Sequence, residues 1–325
     1  MTVSFLQKIL FLFPEINKTH KTMIYNNTYD VIIIGGSYSG LSAAMSLGRS
    51  LRNVLVIDSG LPCNRQTPHS HNFITHDGEK PAVISAKAKT QVEFYDSVKF
   101  YSGLAINAIK TESGFEIETS SGKIFTARKL LFATGVKDLL PQIPGFAECW
   151  GISVLHCPYC HGYEVKKEKT AIVANGDMGF EFSKMISNWT KDLRLLTNGK
   201  STLTIEQTQL LQQHNVQIVE DEIERLEHLN GKIKQIIFKN KSKIELKAIY
   251  FKAPFEQHCP LPESLGCELT ENGLLKVDAF QKTTIPGVFA SGDCHIQARS
   301  VALAVSSGSF AGAMVNKELI DEDFV

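Results

Sequence analysis

The chain has 325 residues, 43% hydrophobic and 21% charged, which excludes a disordered protein and leaves room for two domains of ordinary size. Its 34 basic and 34 acidic residues balance, so neither nucleic acid nor an anionic membrane is predicted as a partner. Seven cysteines, an odd number, are unlike a secreted disulfide framework, and a cytoplasmic location is therefore predicted.

Residues 1–27 are predicted to be an N-terminal extension outside the folded domains. Their apolar run, residues 5–13, is shorter than a bilayer span, is interrupted by Lys8 and leads into Pro14 rather than into a small-residue cleavage site. We interpret the segment as an appended stretch, because Met23 stands just ahead of the first strand. A weak anchor at a membrane surface is the alternative.

The first strong pattern is a strand, a glycine turn and a helix over residues 29–49. Gly35 permits the tight turn, Gly40 lets the helix pack closely on the strand, and the helix N-terminus offers N–H groups to a pyrophosphate. Ser37 stands at the middle glycine of G-x-G-x-x-G and is small enough for a phosphate to approach. The second strand ends at Asp58, where an acid bonds a ribose hydroxyl. A dinucleotide site is predicted, with a solvated strand end as the alternative for Asp58.

A polar loop, residues 63–73, follows this unit and is predicted to lie beside the bound cofactor. Apolar spacing then predicts a helix over residues 81–96, and alternating residues predict short strands from 98 to 131. Proline and glycine residues between 141 and 145 mark a crossing between two domains.

The next motif is a pair of cysteines, Cys157 and Cys160, within the sequence H-C-P-Y-C-H-G-Y-E at residues 156–164. Two cysteines at this spacing can close a small disulfide ring and reopen it, which suits a centre that carries two electrons and two protons. Half of a structural zinc site is the alternative, but no second C-x-x-C exists to complete the usual four ligands. The motif favours redox chemistry, and no metal site is predicted.

The strand, turn and helix pattern starts again at residues 170–190. Its fingerprint is degraded because Ala174 replaces the first glycine, although Gly176 and Gly179 remain in register for a nicotinamide-nucleotide site. A further strand and helix follow, and residues 223–250 are predicted to form hairpins.

The last section carries a strand that ends in Gly292-Asp293 and continues into a helix of small residues from about Arg299. An acid at this point can bind a sugar or ribityl hydroxyl while the helix N-terminus faces a phosphate or a ring carbonyl. A helix cap is the alternative for Asp293.

In order and spacing, these motifs resemble the low-molecular-weight thioredoxin reductase family over nearly the whole chain. The resemblance implies an α/β fold with two Rossmann-like dinucleotide-binding domains, the second inserted into the first. Residues 28–146 and 256–325 would form a discontinuous FAD-binding domain, and residues 147–255 an inserted NAD(P)-binding-like domain that carries the cysteines. A homodimer is also implied.

The resemblance also implies roles for single residues. The residues that would contact FAD are Gly35, Gly36, Ser37, Gly40, Asp58, Asn72, Ala133, Thr134, Gly135, Gly292 and Asp293. Cys160 would be the thiol nearest the flavin, and Cys157 the one that exchanges with an outside disulfide. A low thiol pKa is expected because the motif opens a helix beside histidines. His161 is the favoured proton carrier, with His156 and His258 as alternatives.

Two departures from the family pattern concern the electron donor and the direction of electron transfer. Residues 197–200 read T-N-G-K where members that use NADPH carry a basic H-R-R cluster, so NADH, a second flavin, ferredoxin or no donor site stay open beside NADPH. The sequence C-P-Y-C-H-G-Y-E resembles the branch of gliotoxin- and holomycin-type dithiol oxidases. Three hypotheses follow: a reductase of a thioredoxin-like protein or small disulfide, a dithiol oxidase running from thiol through flavin to oxygen, and a non-enzymatic flavin redox sensor.

Overall fold

The structure is a computed structural model that describes residues 27–325. The predicted N-terminal extension, apart from Asn27, lies outside the described residues, so its interpretation stays a prediction. Within residues 27–325, no helix has the length and the apolar content needed to cross a membrane.

The first half of the described chain builds most of one sheet and begins a second. Its elements are β1 (Thr28–Ile34), α1 (Tyr38–Arg49), β2 (Val54–Asp58), α2 (Pro81–Val92), β3 (Val98–Ser102), β4 (Ala105–Thr111), β5 (Gly114–Thr119), β6 (Ile124–Phe132), β7 (Val136–Asp138), α3 (Phe146–Cys149), β8 (Val154–Leu155), α4 (Pro158–His161) and β9 (Thr170–Val173).

The second half completes both sheets and ends in a long helix. Its elements are α5 (Gly176–Ile186), β10 (Leu193–Leu196), α6 (Ile205–Gln213), β11 (Gln217–Val219), β12 (Ile223–Leu229), β13 (Lys232–Phe238), β14 (Lys243–Glu245), β15 (Ala248–Tyr250), β16 (Phe255–Gln257), α7 (Leu261–Ser264), β17 (Val288–Ala290) and α8 (Val301–Asp323).

The larger sheet has seven strands in the order β3-β2-β1-β6-β5-β4, with β17 also pairing with β6. Strands β3, β2, β1, β6 and β17 run parallel, whereas β4 and β5 are antiparallel additions at one side. Because β17 comes from the end of the chain, this sheet is assembled from both sides of the segment that carries the cysteines. The predicted α/β class with parallel sheets is confirmed.

The smaller sheet has five strands, all parallel, in the order β11-β10-β9-β15-β8. A three-stranded antiparallel sheet of β12, β13 and β14 packs beside it, with buried Phe238 and Ile236 in the shared core. Strands β7 and β16 pair with each other. In the chain, each lies between a strand of the larger sheet and a strand of the smaller sheet. The cysteine motif directly follows β8, at the edge of the smaller sheet.

Both faces of the larger sheet are covered, which explains why β1 reads as a continuous apolar run. Ile32 and Ile34 pack into one hydrophobic cluster, and Val31 and Ile33 pack into another on the opposite face. Helices α1 and α8 lie together on the second face, where a Cβ at Gly308 would stand 2.0 Å from the Ser39 carbonyl oxygen. The N-terminal turn of α1 therefore packs against α8 about two turns after α8 begins.

The structure corrects two of the predicted elements. The predicted hairpins are present from β12 to β14, but Ala248–Tyr250 instead forms β15, a parallel strand between β9 and β8. This strand is wholly buried, and burial on both faces removes the alternation that marks a hairpin strand. The helix predicted over residues 81–96 ends at Val92, because the following residues form a turn into β3.

Candidate active site

The two cysteines of the motif lie side by side at the start of a single helical turn. Cys157 caps α4, and its Sγ accepts a hydrogen bond from the Cys160 backbone N–H at 3.3 Å. The two Sγ atoms are 2.6 Å apart, and both cysteines are free thiols. Oxidation to a disulfide therefore needs only a small displacement. No group of three or more potential metal ligands occurs anywhere in the part of the chain that is described.

The two thiols differ strongly in acidity. The hydrogen bond donated by the Cys160 thiol lowers the pKa of Cys157 to about 7, against a smaller opposing effect of burial, with help from backbone N–H groups and the charge of Arg299. The same hydrogen bond and burial raise the pKa of Cys160. The expected low thiol pKa thus belongs to Cys157. Its causes are the neighbouring thiol, the backbone and an arginine rather than a histidine.

The three candidate histidines lie in different surroundings. Burial, followed by the charge of His71, lowers the pKa of His161, while Glu164 opposes this shift. Burial lowers the pKa of His156 to about 4, and its Nδ1 is buried without a hydrogen-bond partner within residues 27–325. His258 is exposed, and its backbone N–H donates to the Gly135 carbonyl at 3.4 Å. Of the three, His161 is the one directly beside Cys160, and His71 and Glu164 act on it.

The folded protein should lose stability in acid because two of its histidines have lowered pKa values. Burial lowers the pKa of both His156 and His295 to about 4, so the folded protein leaves them neutral at a pH where the unfolded chain protonates them. Their contribution is fully present above about pH 6.5 and is lost as pH falls toward 4, by about 2 kcal/mol for each histidine at about pH 5. Urea unfolding at neutral and acid pH measures this loss.

The matched variants are His295→Gln and His214→Gln, since His214 is exposed on the surface. The first should reduce the acid-induced loss of unfolding free energy, and the second should leave it unchanged. An acid loss in His295→Gln as large as in the parent protein would contradict the prediction.

The first glycine turn has the geometry that the fingerprint predicts. Gly35 has a φ of +105°, and a Cβ there would stand 2.3 Å from the Ala133 carbonyl oxygen. The Gly36 N–H donates to Asp58 Oδ1 at 2.9 Å, and Asp58 Oδ2 accepts from Gly60 N–H at 3.2 Å. Asp58 thus holds the turn itself and keeps free lone pairs for a further donor. A sugar contact by Asp58 stays a prediction.

Polar groups around this turn are left available for an anionic ligand. Helix α1 has no acid in its first turn, and the side chain of its N-cap, Ser37, makes no capping hydrogen bond. Helix α8 also lacks an acid in its first turn. The Thr134 hydroxyl is buried without a hydrogen-bond partner among the described residues. Two helix N-termini and an unpaired hydroxyl form a donor set that suits phosphate and hydroxyl groups.

Asp293 lies in a short 3₁₀ turn, Gly292–Cys294, just ahead of α8. Burial raises the pKa of its carboxyl to about 6. No hydrogen bond or ion pair reaches this carboxyl from residues 27–325. Gly292 has a φ of +78°, and its N–H donates to the Ser307 hydroxyl of α8 at 3.1 Å. A half-buried carboxyl that takes part in no hydrogen bond with the described residues, although the charge of Arg299 acts on it, fits a ligand hydroxyl better than the alternative of a helix cap, because α8 is capped by Ser300.

The remaining predicted cofactor residues line the same region or its loop. Gly135 has a φ of +64° and open space at its Cβ position, directly after Thr134. Asn72 takes a left-handed conformation with a φ of +59°, and its N–H donates to Asp77 Oδ1 at 2.7 Å. Their contacts with a cofactor stay predictions.

The second glycine turn, at the start of α5, is occupied by the protein's own side chains. Asn175 Oδ1 accepts from the Gly176 N–H at 2.8 Å and from the Thr202 N–H at 2.9 Å. A Cβ at Gly176 would stand 2.9 Å from the Thr202 hydroxyl, and Asp177 places an acid in the first turn of the helix. A pyrophosphate would meet Thr202 and the charge of Asp177 here. Gly176 and Gly179 lie in the turn and helix start that the sequence predicts. Unlike the turn at Gly35, this one has a side-chain cap and an acid in the first turn of its helix.

An ion pair that sequence reasoning missed lies close to the cysteines. Arg299, just before α8, stands 2.9 Å from Asp138 at the end of β7, and both side chains are largely buried. The positive charge of Arg299 also favours the Cys157 thiolate. The two partners are far apart in sequence, so no spacing rule relates them.

Cys63 also lies near this group but is not a further nucleophile. The residue is exposed, although protein atoms surround most of its thiol. Burial and then the charge of Asp293 raise the pKa of its thiol to about 11. A thiol with this pKa is almost fully protonated at neutral pH.

Comparison with known proteins decides what this combination of sites is. Residues 29–308 match the family described as pyridine nucleotide-disulphide oxidoreductase. The chain belongs to this family. Its members use FAD, and the acid-free helix N-termini, the Thr134 hydroxyl and the Asp293 carboxyl fit that cofactor. The protein is an FAD-dependent disulfide oxidoreductase of the thioredoxin reductase type.

Two curated relatives and one solved structure illustrate the similarity. The thioredoxin reductase tcpT of Claviceps purpurea is 32% identical over 311 residues, which are 92% of this chain and 96% of that protein. The thioredoxin reductase aclD of Aspergillus oryzae is 31% identical over 304 residues, covering 90% and 96% of the two chains. The crystal structure of an oxidoreductase from Agrobacterium tumefaciens superimposes with a TM-score of 0.85 at 35% identity, covering 90% of this chain and 99% of that one.

Proposed function

We propose that Cys157 and Cys160 exchange with a thioredoxin-like protein or a small-molecule disulfide and carry electrons between that substrate and FAD. The observation that supports this most directly is the opposed acidity of two sulfurs that lie 2.6 Å apart. A thiolate at Cys157 is a nucleophile toward a disulfide, and a protonated Cys160 waits beside it to resolve the mixed disulfide.

In the reducing direction, the Cys157 thiolate attacks one substrate sulfur, so the substrate S–S bond breaks and the first substrate thiolate leaves. Cys160 Sγ, after losing its proton, then attacks Cys157 Sγ and releases the second substrate thiolate. The Cys157–Cys160 disulfide remains. When bound, FAD supplies the two-electron couple that restores the thiols. His161, whose pKa lies below its ordinary range, is the proposed acceptor of the Cys160 proton and its donor to a leaving thiolate.

We assign residues 28–146 and 256–325 to the FAD-binding domain and residues 147–255 to the domain inserted in it. The pairing of β17 with β6 supports this division, because it joins the two ends of the chain in one sheet. The cysteines would then stand on the inserted domain while Asp293 stands on the other. Both the thiols and the flavin site would lie at the boundary between them.

A dithiol oxidase is the second candidate function, and the closed turn at α5 favours it. Asn175 Oδ1 accepts from the Thr202 N–H across the second glycine turn, where a pyrophosphate is expected, and Asp177 adds a like charge. In this direction a small dithiol would be oxidised to its disulfide, and its two electrons and two protons would pass by way of FAD to oxygen, which would be reduced to hydrogen peroxide. NADPH, NADH or another donor would not be needed.

The test is anaerobic reduction of the purified, flavin-loaded protein by NADPH, NADH and dithiothreitol in separate experiments, followed by the visible absorbance of oxidised flavin. Rapid bleaching by a nicotinamide would support the reductase. Bleaching by the dithiol alone, reversed by oxygen, would support the oxidase. Bleaching by neither within the time of catalysis would contradict the oxidase and a reductase that uses a nicotinamide, and would leave a reductase with another donor or the non-enzymatic redox sensor.

We also propose a homodimer in the cytoplasm. Three apolar side chains along α8, Leu303, Phe310 and Ile320, are exposed, which suits a surface covered by a second copy. All seven cysteines are free thiols, as expected in a reducing compartment. Sedimentation of the purified protein as a monomer at working concentration would contradict the dimer.

A further inference from the structure

A contact between two distant segments lies beside the cysteine motif. His71 belongs to the loop between β2 and α2, whereas His161 and Glu164 follow the cysteines. His71 Nδ1 stands 3.6 Å from Glu164 Oε1, and the rings of His71 and His161 meet edge to face with centroids 6.3 Å apart. The His71 side chain is 18% exposed and that of Glu164 39%, so the imidazole side of this contact is the more shielded from solvent.

Charged and titratable groups face this contact from several elements. On the loop, Asp77 Oδ1 stands 3.7 Å from His71 Nδ1, and the His69 ring lies 6.5 Å from the His71 ring. His156, before the cysteines, also interacts electrostatically with His161. Asp77 is already engaged by the Asn72 N–H and is largely exposed, so Glu164 is the carboxylate best placed to act on both histidines.

We propose that His71 and Glu164 are positioning residues beside His161 that set, in opposite senses, how readily it takes up a proton. This rests on the proposed function, in which His161 carries the proton of the cysteine pair. A protonated His71 ring opposes a second positive charge on His161, and the Glu164 carboxylate favours it. The loop between β2 and α2, which carries His71, thereby influences proton uptake by His161 beside the cysteines.

The electrostatics around His161 agree with this arrangement. After burial, the charge of His71 is the largest influence that lowers the pKa of His161, and Glu164 raises it. Removing each partner should therefore move the titration of His161 in opposite directions. A role that is structural only would give no such opposition.

The experiment is a pH titration of the imidazole nitrogens by NMR in the full-length, ¹⁵N-histidine-labelled protein, without donor or substrate. The variant His161→Gln identifies the resonance of His161 among the ten histidines. His71→Gln should shift the titration of His161 to higher pH, and Glu164→Gln should shift it to lower pH. The double variant should titrate closer to the parent protein than either single variant.

The matched control is His69→Gln, which removes a neighbouring ring whose Nδ1 lies 2.9 Å from the Gly78 carbonyl oxygen. It should leave the titration of His161 in place. Shifts of the same sign in both single variants, or no shift in either, would overturn the proposal. If His71→Gln does not fold, Glu164→Gln alone decides, and an unmoved titration there overturns it.

The outcome is separable from the proposed function, because the titration needs no turnover. If the protein fails to exchange disulfides but the two variants shift the His161 titration in opposite directions, the proposed function is contradicted and the roles of His71 and Glu164 are supported. A working oxidoreductase in which the titration of His161 does not respond to either variant would contradict only the present inference.

Discussion

Replacing either Cys157 or Cys160 by serine should abolish turnover of disulfides and dithiols while leaving FAD bound. A serine hydroxyl cannot form the mixed disulfide or close the ring, so the rate should fall by about a thousandfold or more. The proposed phosphate and ribose contacts come from other elements, at the Gly35 turn and Asp293. Steady-state turnover and the flavin content of the purified variants are the measurements.

The control is Cys63→Ser, since the raised pKa of that thiol removes it from the exchange chemistry. It should retain turnover. Full activity in Cys157→Ser or Cys160→Ser would contradict the dithiol mechanism.

The same sulfurs give a pH-dependent result that tells them apart. Because the pKa of Cys157 is lowered to about 7 and that of Cys160 is raised, limited iodoacetamide should label Cys157 first in the reduced protein. The labelling rate should fall as pH drops below 7, since the thiolate fraction falls with it. Peptide mass spectrometry that finds Cys160 labelled first would reverse the assigned roles.

Replacing Asp293 by alanine should weaken retention of FAD by about 10- to 100-fold, the effect of losing one strong hydrogen bond at about 1.5 to 3 kcal/mol. The carboxyl is half-buried and takes part in no hydrogen bond with the described residues, so a ligand hydroxyl is the group it is proposed to bind. Equilibrium dialysis of FAD against the apoprotein measures the change.

Asp293→Asn is the informative companion variant, because the amide keeps the shape and a hydrogen-bonding oxygen. It should lose less affinity than Asp293→Ala. Undiminished FAD affinity in Asp293→Ala would contradict the proposed contact, and unfolding in urea shows whether both variants are folded.

The sequence by itself determined the local units that hold the chemistry. A strand followed by Gly35 and Gly40 specifies the turn, because a Cβ at either glycine would collide with backbone, at 2.3 Å and 1.8 Å. Cys157 and Cys160 are three residues apart, so a single helical turn brings their sulfurs together. These features depend on residues close in sequence, and spacing therefore reveals them.

Only the tertiary structure decided which distant groups act on these units. Arg299 with Asp138, and His71 with Glu164, are contacts between segments with no spacing signal. The strand Ala248–Tyr250 joins the parallel sheet rather than a hairpin because its place is fixed by β9 and β8 on either side. The position of Thr202 over the second glycine turn also could not be predicted from spacing. It depends on how a later loop folds back onto that turn.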